Sequence, residues 1–393
     1  MDLQSYVLLP IILGILVGIV DWLSIREDFP ALKKATYLNT ASTGLLSEGA
    51  IAVAEGFLRE RRYGGIKWLD WYSTMDVDLR KKVSILLGCR TDEVGFVPNT
   101  TTGINMIAHS IKWRKGGNIV TTDMEFPANL FPWQVVAHIY GLEVRYARSI
   151  GGIIPLGEFE RAVDENTIAI VVSWVEFSNG FTIDLNGLSK IARRHGSYLI
   201  VDGIQGVGSI PINPRGVGVD VLVCGMQKWL LGTGGGFIYV EKNLLSELEI
   251  HFGGWLADET PFDFSFREFK PSLSARRFEL GTPSFIDFHI ANHSIGFILD
   301  IGIDKIHHRN RVLIKYLLDC LEELPRVEIC TPEDSRSSIV LIRTGRDREI
   351  VDRMREKNII VSYRAGGIRI SPHFYNTEED IDVFISELKH HIH

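Results

Sequence analysis

Short apolar runs rich in β-branched residues alternate with helical stretches through the middle of the chain, from about residue 118 to residue 240. Most of these runs are continuously apolar, as expected for strands that are covered on both faces. Helical segments lie between several of them, for example Asn186–His195, which ends before Gly196. This alternation predicts an α/β protein with a mostly parallel sheet. The predicted strands are Asn118–Thr122, Glu143–Tyr146, Ile168–Ser173, Tyr198–Asp202, Val219–Cys224 and Gly236–Val240.

The pattern changes after about Phe285, where a long helical stretch leads to two short apolar runs, Ile339–Ile342 and Ile359–Ser362. A C-terminal helix is predicted from Thr377, because the acidic residues that follow suit the N-terminal end of a helix dipole. These elements indicate a second, smaller α+β domain, and the chain of 393 residues is long enough for two domains. The expected division is residues 21–48 as an N-terminal segment that joins the small domain, 49–285 as the large domain, and 286–393 as the small C-terminal domain.

The first twenty residues differ from the rest of the chain. Tyr6–Val20 is an apolar run, and the first basic residue is Arg26, which disfavours a secretory signal. The run also falls short of the roughly 20 apolar residues that a membrane-spanning helix needs. We expect the folded chain to begin near Asp21, with residues 1–20 as an apolar extension that is either a mis-set start or a disordered tail. A membrane anchor is the alternative, and only in that case would the protein contact a membrane.

The composition excludes several kinds of partner. The net charge is −7, and no run of Lys or Arg provides an electrostatic surface for nucleic acid. The four cysteines are scattered without a CxxC pair, so neither a disulfide framework nor a zinc site is indicated. The histidines show no metal-ligand spacing either. We therefore expect a cytoplasmic protein that binds neither nucleic acid nor a metal.

Two polar residues follow the ends of predicted strands. Asp202 ends the strand Tyr198–Asp202, and Lys228 lies just beyond Val219–Cys224. Because ligands collect at the carboxyl ends of parallel strands, the carboxylate and the amine should face one pocket. An amine can form a Schiff base with an aldehyde cofactor, and a carboxylate can keep a pyridine nitrogen protonated. Pyridoxal 5′-phosphate (PLP) requires both groups. The alternative for Lys228 is a surface lysine, although its apolar neighbours favour a desolvated amine.

Several motifs in a fixed order carry a resemblance to a known family. They are YLNTASTGLL, VPNTTTGIN, EFPANLFPW, VDGIQGVG, QKWLLG, FELGTPS and IRISPHFYNTEEDID. In this order they resemble the class V aminotransferase family of fold-type I PLP enzymes, which includes cysteine desulfurases and isopenicillin-N-epimerase-like proteins. The resemblance implies a fold-type I PLP-dependent transferase that acts at the α-carbon of a small amino-acid substrate. Lys228 would hold PLP as a Schiff base, and Asp202 would contact the pyridine nitrogen.

The resemblance also assigns contacts to the phosphate of PLP. Thr100 and Thr101 precede the predicted helical run Ile104–Ile111, where hydroxyls and free N–H groups can bind phosphate, although an ordinary helix cap is the alternative. Gln227 stands where relatives commonly have a histidine, so its contact with the phosphate is open. Thr282 would reach the phosphate from the neighbouring subunit. The resemblance thus implies a homodimer with shared active sites.

The cofactor ring has two further expected neighbours. Phe126 occupies the position of a ring that stacks on the pyridine, where desulfurases have histidine; a phenyl group can pack there but cannot carry a proton. Gln205 would hydrogen-bond the phenolic oxygen of PLP. Without the resemblance, Phe126 is an ordinary core residue and Gln205 a polar helix cap.

On the substrate side, Arg369 resembles the arginine that binds the α-carboxylate, and Asn39 is expected to line the same pocket. Desulfurases carry a nucleophilic cysteine in the loop before this arginine, where the present sequence reads VSYRAGGIR without a thiol. Aminotransferase chemistry is therefore the leading expectation. The alternatives are a C–S β-lyase or desulfurase-like reaction, an amino-acid epimerase, and a PLP-binding regulatory protein without turnover.

Overall fold

The computed structural model describes residues 20–333, 335 and 337–392. Of the apolar run Tyr6–Val20, every residue except Val20 lies outside this description, so the two interpretations of residues 1–20 stay predictions. Within the described ranges, no helix is both long enough and apolar enough to cross a membrane.

A seven-stranded sheet forms the centre of the larger part of the molecule, in the order β2-β8-β7-β6-β5-β3-β4. Strand β8 runs antiparallel to both of its neighbours, and the other adjacent pairs from β7 to β4 are parallel. The predicted α/β fold with a mostly parallel sheet is confirmed. The strands are β1 (Thr36–Tyr37), β2 (Val94–Val97), β3 (Asn118–Thr122), β4 (Glu143–Ala147), β5 (Thr167–Ser173), β6 (Tyr198–Asp202), β7 (Val221–Gly225), β8 (Gly236–Val240), β9 (Glu328–Ile329), β10 (Val340–Arg343), β11 (Ile359–Ile360), β12 (Ser362–Arg364) and β13 (Gly367–Ile370).

The six strands predicted in the middle of the chain are present as β3 to β8, with bounds that agree to within two residues. Strand β2 was not predicted. It is only four residues long and contains Gly95, which is required because a Cβ at that position would collide with the carbonyl oxygen of Ala275. A close backbone contact of this kind leaves no apolar pattern in the sequence.

Helices cover both faces of the large sheet. Successive residues of a strand point to opposite faces, so Val171 packs with the core that contains Ile107 and Trp133, whereas Val172 packs with the core that contains Leu188. The helices are α1 (Trp22–Glu27), α2 (Glu48–Arg62), α3 (Trp68–Ser73), α4 (Arg80–Leu87), α5 (Thr100–Ser110), α6 (Phe131–Tyr140), α7 (Leu156–Ala162), α8 (Leu185–His195), α9 (Pro214–Val217), α10 (Lys242–Leu245), α11 (Phe285–Ile301), α12 (Ile303–Glu322), α13 (Asp347–Glu356) and α14 (Glu378–His391), with a π-helical segment at Thr74–Leu79.

The predicted helices end where their capping residues require. Helix α8 stops at Gly196, which adopts a left-handed conformation with φ 65°. Helix α14 begins after Thr377, whose side chain and that of Asp380 form a reciprocal capping box. Both helices were predicted, and their starts differ from the prediction by one residue.

A smaller sheet near the C-terminus has the order β12-β13-β10-β9 and is antiparallel, while β1 pairs in parallel with β11. The predicted run Ile359–Ser362 is thus divided between two sheets. The core beneath the smaller sheet includes Leu317, Ile368 and Phe384 together with Leu38 from the N-terminal segment. Helix α11 contributes to the core of the larger part instead, and the exact division at residue 285 stays a prediction.

Candidate active site

Asp202 and Lys228 lie at the same edge of the large sheet. Asp202 is the last residue of β6 and pairs with Val223 of the neighbouring parallel strand β7, after which the chain turns to Lys228. Asp202 is 3% exposed, and its Oδ1 accepts a hydrogen bond of 2.9 Å from the backbone N–H of Ile204. The charges of the two side chains influence each other. The structure therefore brings together the carboxylate and the amine that the sequence predicted to share a pocket.

Burial shifts the pKa values of both groups toward the neutral range. It raises the pKa of Asp202 to about 6, although the Ile204 N–H and the charge of Lys228 act in the opposite direction. It lowers the pKa of Lys228 to about 8, against the attraction of Asp202. A lysine in this range exposes a larger fraction of free amine at neutral pH than an ordinary lysine does, which suits a nucleophile.

The backbone around Lys228 is held by the N-terminal segment. The N–H of Gly44 donates to the carbonyl oxygen of Gln227 at 2.9 Å. A Cβ at Gly44 would collide with the carbonyl oxygen of Lys228, so only glycine permits this approach. The following Leu231 has a positive φ of 57°. The position of Lys228 is thus set by backbone contacts, which leave its side chain free to reach the pocket.

Phe126 lies beside the amine on the open side of the pocket. The Nζ of Lys228 is 6.0 Å from the centroid of its ring, and the ring meets Phe177 edge to face with a centroid separation of 5.1 Å. Phe126 is 45% exposed. Part of the Phe126 side chain is therefore accessible, and its stacking on a cofactor ring stays a prediction.

The N-terminus of α5 offers the elements of a phosphate site. The side chain of Asn99 caps the helix by accepting from the N–H of Thr102 at 2.8 Å. The Oγ1 of Thr100 is buried without a hydrogen-bond partner in the described chain. A Cβ at Gly225 would lie 2.9 Å from this oxygen and 2.5 Å from the Oε1 of Gln227, so the two side chains converge on the end of β7. An unsatisfied hydroxyl at a helix N-terminus fits a phosphate group.

The other predicted cofactor contacts differ in how close they come to this centre. Gln205 is buried; its Nε2 donates to the carbonyl oxygen of Ala41 at 3.0 Å, and its Oε1 accepts from Trp229 at 2.9 Å, which leaves one N–H available. Thr101 is exposed on the first turn of α5. Thr282 is exposed and lines a cavity of about 300 Å³ that is also lined by Pro98 and Thr102. Its contact with a neighbouring subunit stays a prediction.

A buried ion pair anchors the loop that carries Thr282. The Oε1 of Glu279 accepts hydrogen bonds from Arg80 at 2.7 Å and from the backbone N–H of Phe96 at 3.0 Å. Arg80 also binds Asp76 at 2.6 Å. The loop therefore starts from a fixed point on β2 and α4.

Arg369 is buried on β13 and points at the same pocket. Its Nη1 donates to the carbonyl oxygen of Phe177 and its Nη2 to the Oγ of Ser42, each at 2.8 Å. Ser42 in turn donates to the Oδ1 of Asn39 at 2.8 Å. Across residues 20–333, 335 and 337–392, no carboxylate forms an ion pair with Arg369, and its Nε has no partner. Burial, with a smaller effect of Arg364, lowers the pKa of Arg369 to about 10.

A buried guanidinium without a carboxylate partner is unfavourable unless an anion completes the site. The geometry of Arg369 thus suits a ligand carboxylate. Asn39, Ser42 and Phe177 surround it, and only Asn39 was proposed from the sequence. Ser42 is the last residue of YLNTAS at the start of the first motif, whereas Phe177 contributes a backbone carbonyl that no side-chain pattern could reveal.

Sequence reasoning also missed Glu125, the residue before Phe126. Its carboxyl group accepts hydrogen bonds from the N–H of Ser173 at 2.7 Å, the Oγ of Ser173 at 2.6 Å and Asn129 at 2.9 Å. Burial raises its pKa to about 7. These bonds tie the segment that carries Phe126 to the end of β5, and they fix the backbone from which the ring projects.

Comparisons with known proteins agree with the geometry. The model of the family described as Aminotransferase class-V matches residues 70–384. The chain is 30% identical over 364 residues to an uncharacterized aminotransferase of Bacillus subtilis, YcbU, covering 92% of this chain and 96% of that protein. It is 29% identical to a probable cysteine desulfurase of Borreliella burgdorferi, with 93% and 95% covered.

Solved structures share the fold. An apo cysteine desulfurase from Thermococcus onnurineus NA1 matches with a TM-score of 0.85 at 23% identity, covering 93% of this chain and 97% of that chain. The cystine C–S lyase C-DES, in complex with cysteine persulfide, matches with a TM-score of 0.84 at 20% identity, covering 92% and 98%.

The chain therefore belongs to the class V aminotransferase family. Enzymes of this family depend on PLP, so the fold, the enzyme class and the cofactor expected from the motifs are confirmed at the level of the family. The roles of the individual site residues stay predictions.

Proposed function

We propose that the protein is an aminotransferase-type enzyme that attaches PLP to Lys228 and acts at the α-carbon of an amino acid whose carboxylate binds Arg369. The observation that carries the proposal is the convergence of three groups on one pocket: the buried carboxyl of Asp202, the amine of Lys228 and the guanidinium of Arg369, which lacks a carboxylate partner in the described chain. These are the groups that the cofactor ring, its aldehyde and the substrate require.

Each of these residues has one task. When bound, PLP supplies an aldehyde that joins an amine and a ring that accepts the electron pair released at the α-carbon. Asp202, once ionised, would contact the pyridine nitrogen and keep it protonated. Arg369 binds the substrate carboxylate by two N–H groups and so fixes the bond at the α-carbon that is to be broken. Lys228, as a free amine, would accept the proton from the α-carbon.

The structure offers further support around the cofactor. Phe126 would pack on the ring, Thr100, Thr101 and Gln227 would contact the phosphate, and the free N–H of Gln205 would face the phenolic oxygen. A homodimer in which Thr282 completes the neighbouring phosphate site belongs to the same proposal, as does a cytoplasmic location, which the scattered cysteines favour.

A C–S lyase or desulfurase-like reaction is the second candidate, because several relatives are named probable cysteine desulfurases. Two features weigh against persulfide chemistry. The segment VSYRAGGIR before the end of β13 contains no thiol. Burial raises the pKa of Cys330 and that of Cys224, which disfavours the reactive thiolate in both.

The attachment site can be tested by borohydride reduction of the holoprotein followed by peptide mass analysis. We expect a reduced pyridoxyl group on the peptide that contains Lys228. The variant Lys228→Ala should carry none and turn over no substrate, whereas Lys190→Ala, which removes an exposed lysine, should behave like the parent. A label on another lysine, or turnover by Lys228→Ala, would overturn the assignment.

The type of reaction can be tested with a panel of amino acids and keto acids. Formation of pyridoxamine phosphate with a new amino acid indicates transamination. Pyruvate with ammonia indicates elimination, alanine with sulfide from cysteine indicates desulfuration, and a D-amino acid indicates epimerisation. Any of the last three without transamination would replace the leading candidate.

A further inference from the structure

A second arginine, Arg364, lies on the same face of the small sheet as Arg369. Strands β12 and β13 form a tight hairpin in which Ser362 pairs with Arg369 and Arg364 pairs with Gly367. Paired residues of an antiparallel ladder point to the same face, and so do residues two positions apart on one strand. Arg364 and Arg369 are therefore diagonal neighbours on one face of the hairpin.

That face is directed at the active site. The alternate residues Ile368 and Ile370 of β13 are buried in the core of the smaller sheet, so the side chains between them point away from this core. Arg369 confirms the direction, because its guanidinium reaches Phe177 and Ser42 in the pocket. The hairpin turns at Ala365 and Gly366, which both have positive φ, and this places Arg364 at the rim of the same pocket.

Arg364 is exposed and its charge is not neutralised. Its Nη1 donates to the carbonyl oxygen of Tyr363 at 3.0 Å, and no ion pair involves its side chain in the part of the chain that the structure describes. Gly367, its partner across the hairpin, has no side chain that could cover it. A guanidinium in this situation keeps most of its donors available for an anion.

The charges around the pocket are unbalanced as a result. Arg364 and Arg369 both carry positive charge, and the electrostatic effect of Arg364 reaches Arg369 and Lys228. The nearby carboxyl of Asp202 lies beneath the pocket and is already assigned to the cofactor. One substrate carboxylate at Arg369 therefore leaves a second cationic group without a counter-charge on the open side.

We propose that Arg364 selects a dicarboxylic amino acid, with the α-carboxylate at Arg369 and the side-chain carboxylate at Arg364. This inference rests on the proposed function, since it requires the substrate carboxylate at Arg369. Two cationic groups on one rigid hairpin discriminate against an uncharged substrate side chain, because such a side chain would leave Arg364 without the anion that it can bind.

The kinetic test compares aspartate and glutamate with alanine as amino donors for the holoenzyme. In Arg364→Gln, KM for the dicarboxylic substrates should rise about 10- to 100-fold, the range expected when a hydrogen-bonded charge is lost, while kcat changes little. KM for alanine should stay within about 2-fold of the parent value. Arg364→Lys should restore part of the preference, because it keeps the charge but not the two-point contact.

A matched control is Arg353→Gln, which removes the same charge from the exposed side of α13 and should leave every substrate unaffected. Equal changes for alanine and aspartate in Arg364→Gln, or a parent enzyme that does not prefer dicarboxylic substrates, would overturn the inference. In that outcome, retained PLP attachment at Lys228 and turnover of alanine would leave the proposed function intact.

A binding test removes the dependence on turnover. Succinate and butyrate have the same carbon chain and differ by one carboxylate, so calorimetric titration of the holoprotein with each measures the effect of the second charge. Succinate should bind at least about 10-fold more tightly than butyrate to the parent and with similar affinity to Arg364→Gln. Equal affinities in the parent would refute the role of Arg364.

Discussion

Replacing Lys228 by methionine should make the cofactor-free protein more stable. Burial lowers the pKa of this lysine from 10.5 to about 8. A factor of ten in proton affinity corresponds to about 1.4 kcal/mol, so the shift amounts to about 3 kcal/mol of native-state free energy at pH 7. Methionine has a similar length, is flexible and carries no charge. Because Lys228 is partly exposed and the substitution removes the attraction between its charge and Asp202, we expect the free energy of unfolding to rise by only about 1 to 3 kcal/mol.

The gain should depend on pH in a defined direction. The pKa of Lys228 is depressed in the folded state, so the parent protein loses stability as the pH falls from 10.5 toward 8, where the unfolded chain binds a proton and the folded chain does not. Below pH 8 the difference in unfolding free energy between Lys228→Met and the parent protein is constant. The cost of the buried charge to the stability of the parent protein is about 3 kcal/mol at pH 7, and about 2 kcal/mol of it should remain at pH 9 and almost none above pH 10.5.

Urea unfolding of the apoproteins at pH 7 and pH 9 measures both quantities. Lys190→Met provides the control, because it removes a lysine from the exposed side of α8. If Lys228→Met were no more stable than the parent at pH 7, or if its advantage did not shrink at pH 9, the amine would not be desolvated as described. The proposed nucleophile would then lack its physical basis.

Two other variants test the surroundings of the cofactor. Glu279→Gln should destabilise the protein by about 3 kcal/mol in urea unfolding, because Arg80 stays buried with one carboxylate fewer. The control Glu328→Gln removes a carboxylate from an exposed ion pair of 3.8 Å and should change the free energy of unfolding by less than about 0.5 kcal/mol. Similar effects of the two variants would contradict the importance of burial. Thr100→Val should weaken PLP binding about 10-fold in a spectroscopic titration. The unfolding free energy of the apoprotein should stay nearly unchanged, since the Thr100 hydroxyl has no partner in the described residues. An unaltered PLP affinity would show that Thr100 is not part of the phosphate site.

The large sheet was predictable because its strands are covered on both faces. A strand such as Thr167–Ser173, buried along its whole length, produces a continuous apolar run that the sequence displays directly. Strand β2 escaped prediction because its central Gly95 is needed for a backbone contact with Ala275, a reason that lies elsewhere in the chain. The short strands β11 and β12 merged in the prediction, since nothing in the apolar run shows where one sheet ends and the other begins.

The site was predictable in the part that follows from sheet geometry. Asp202 ends β6 and Lys228 lies three residues beyond the end of the adjacent parallel strand β7, so the geometry of the sheet brings the two close together. The contact between Arg369 and Ser42 joins residues 327 positions apart, and no local pattern specifies it. The same holds for Glu125 and Ser173, whose hydrogen bonds depend on the order of strands within the sheet.

One wall of the pocket is assembled from both ends of the chain. The N–H of Ser371 donates to the carbonyl oxygen of Leu38, and β1 completes its pairing only with β11. During synthesis on the ribosome, the strands of the large sheet emerge long before residues 359–371 are translated. A nascent polypeptide can thus build the sheet that holds Lys228 while the carboxylate-binding arginine is still missing. The pocket can therefore discriminate among its substrates only after β11 to β13 have been synthesised and have packed against the N-terminal segment.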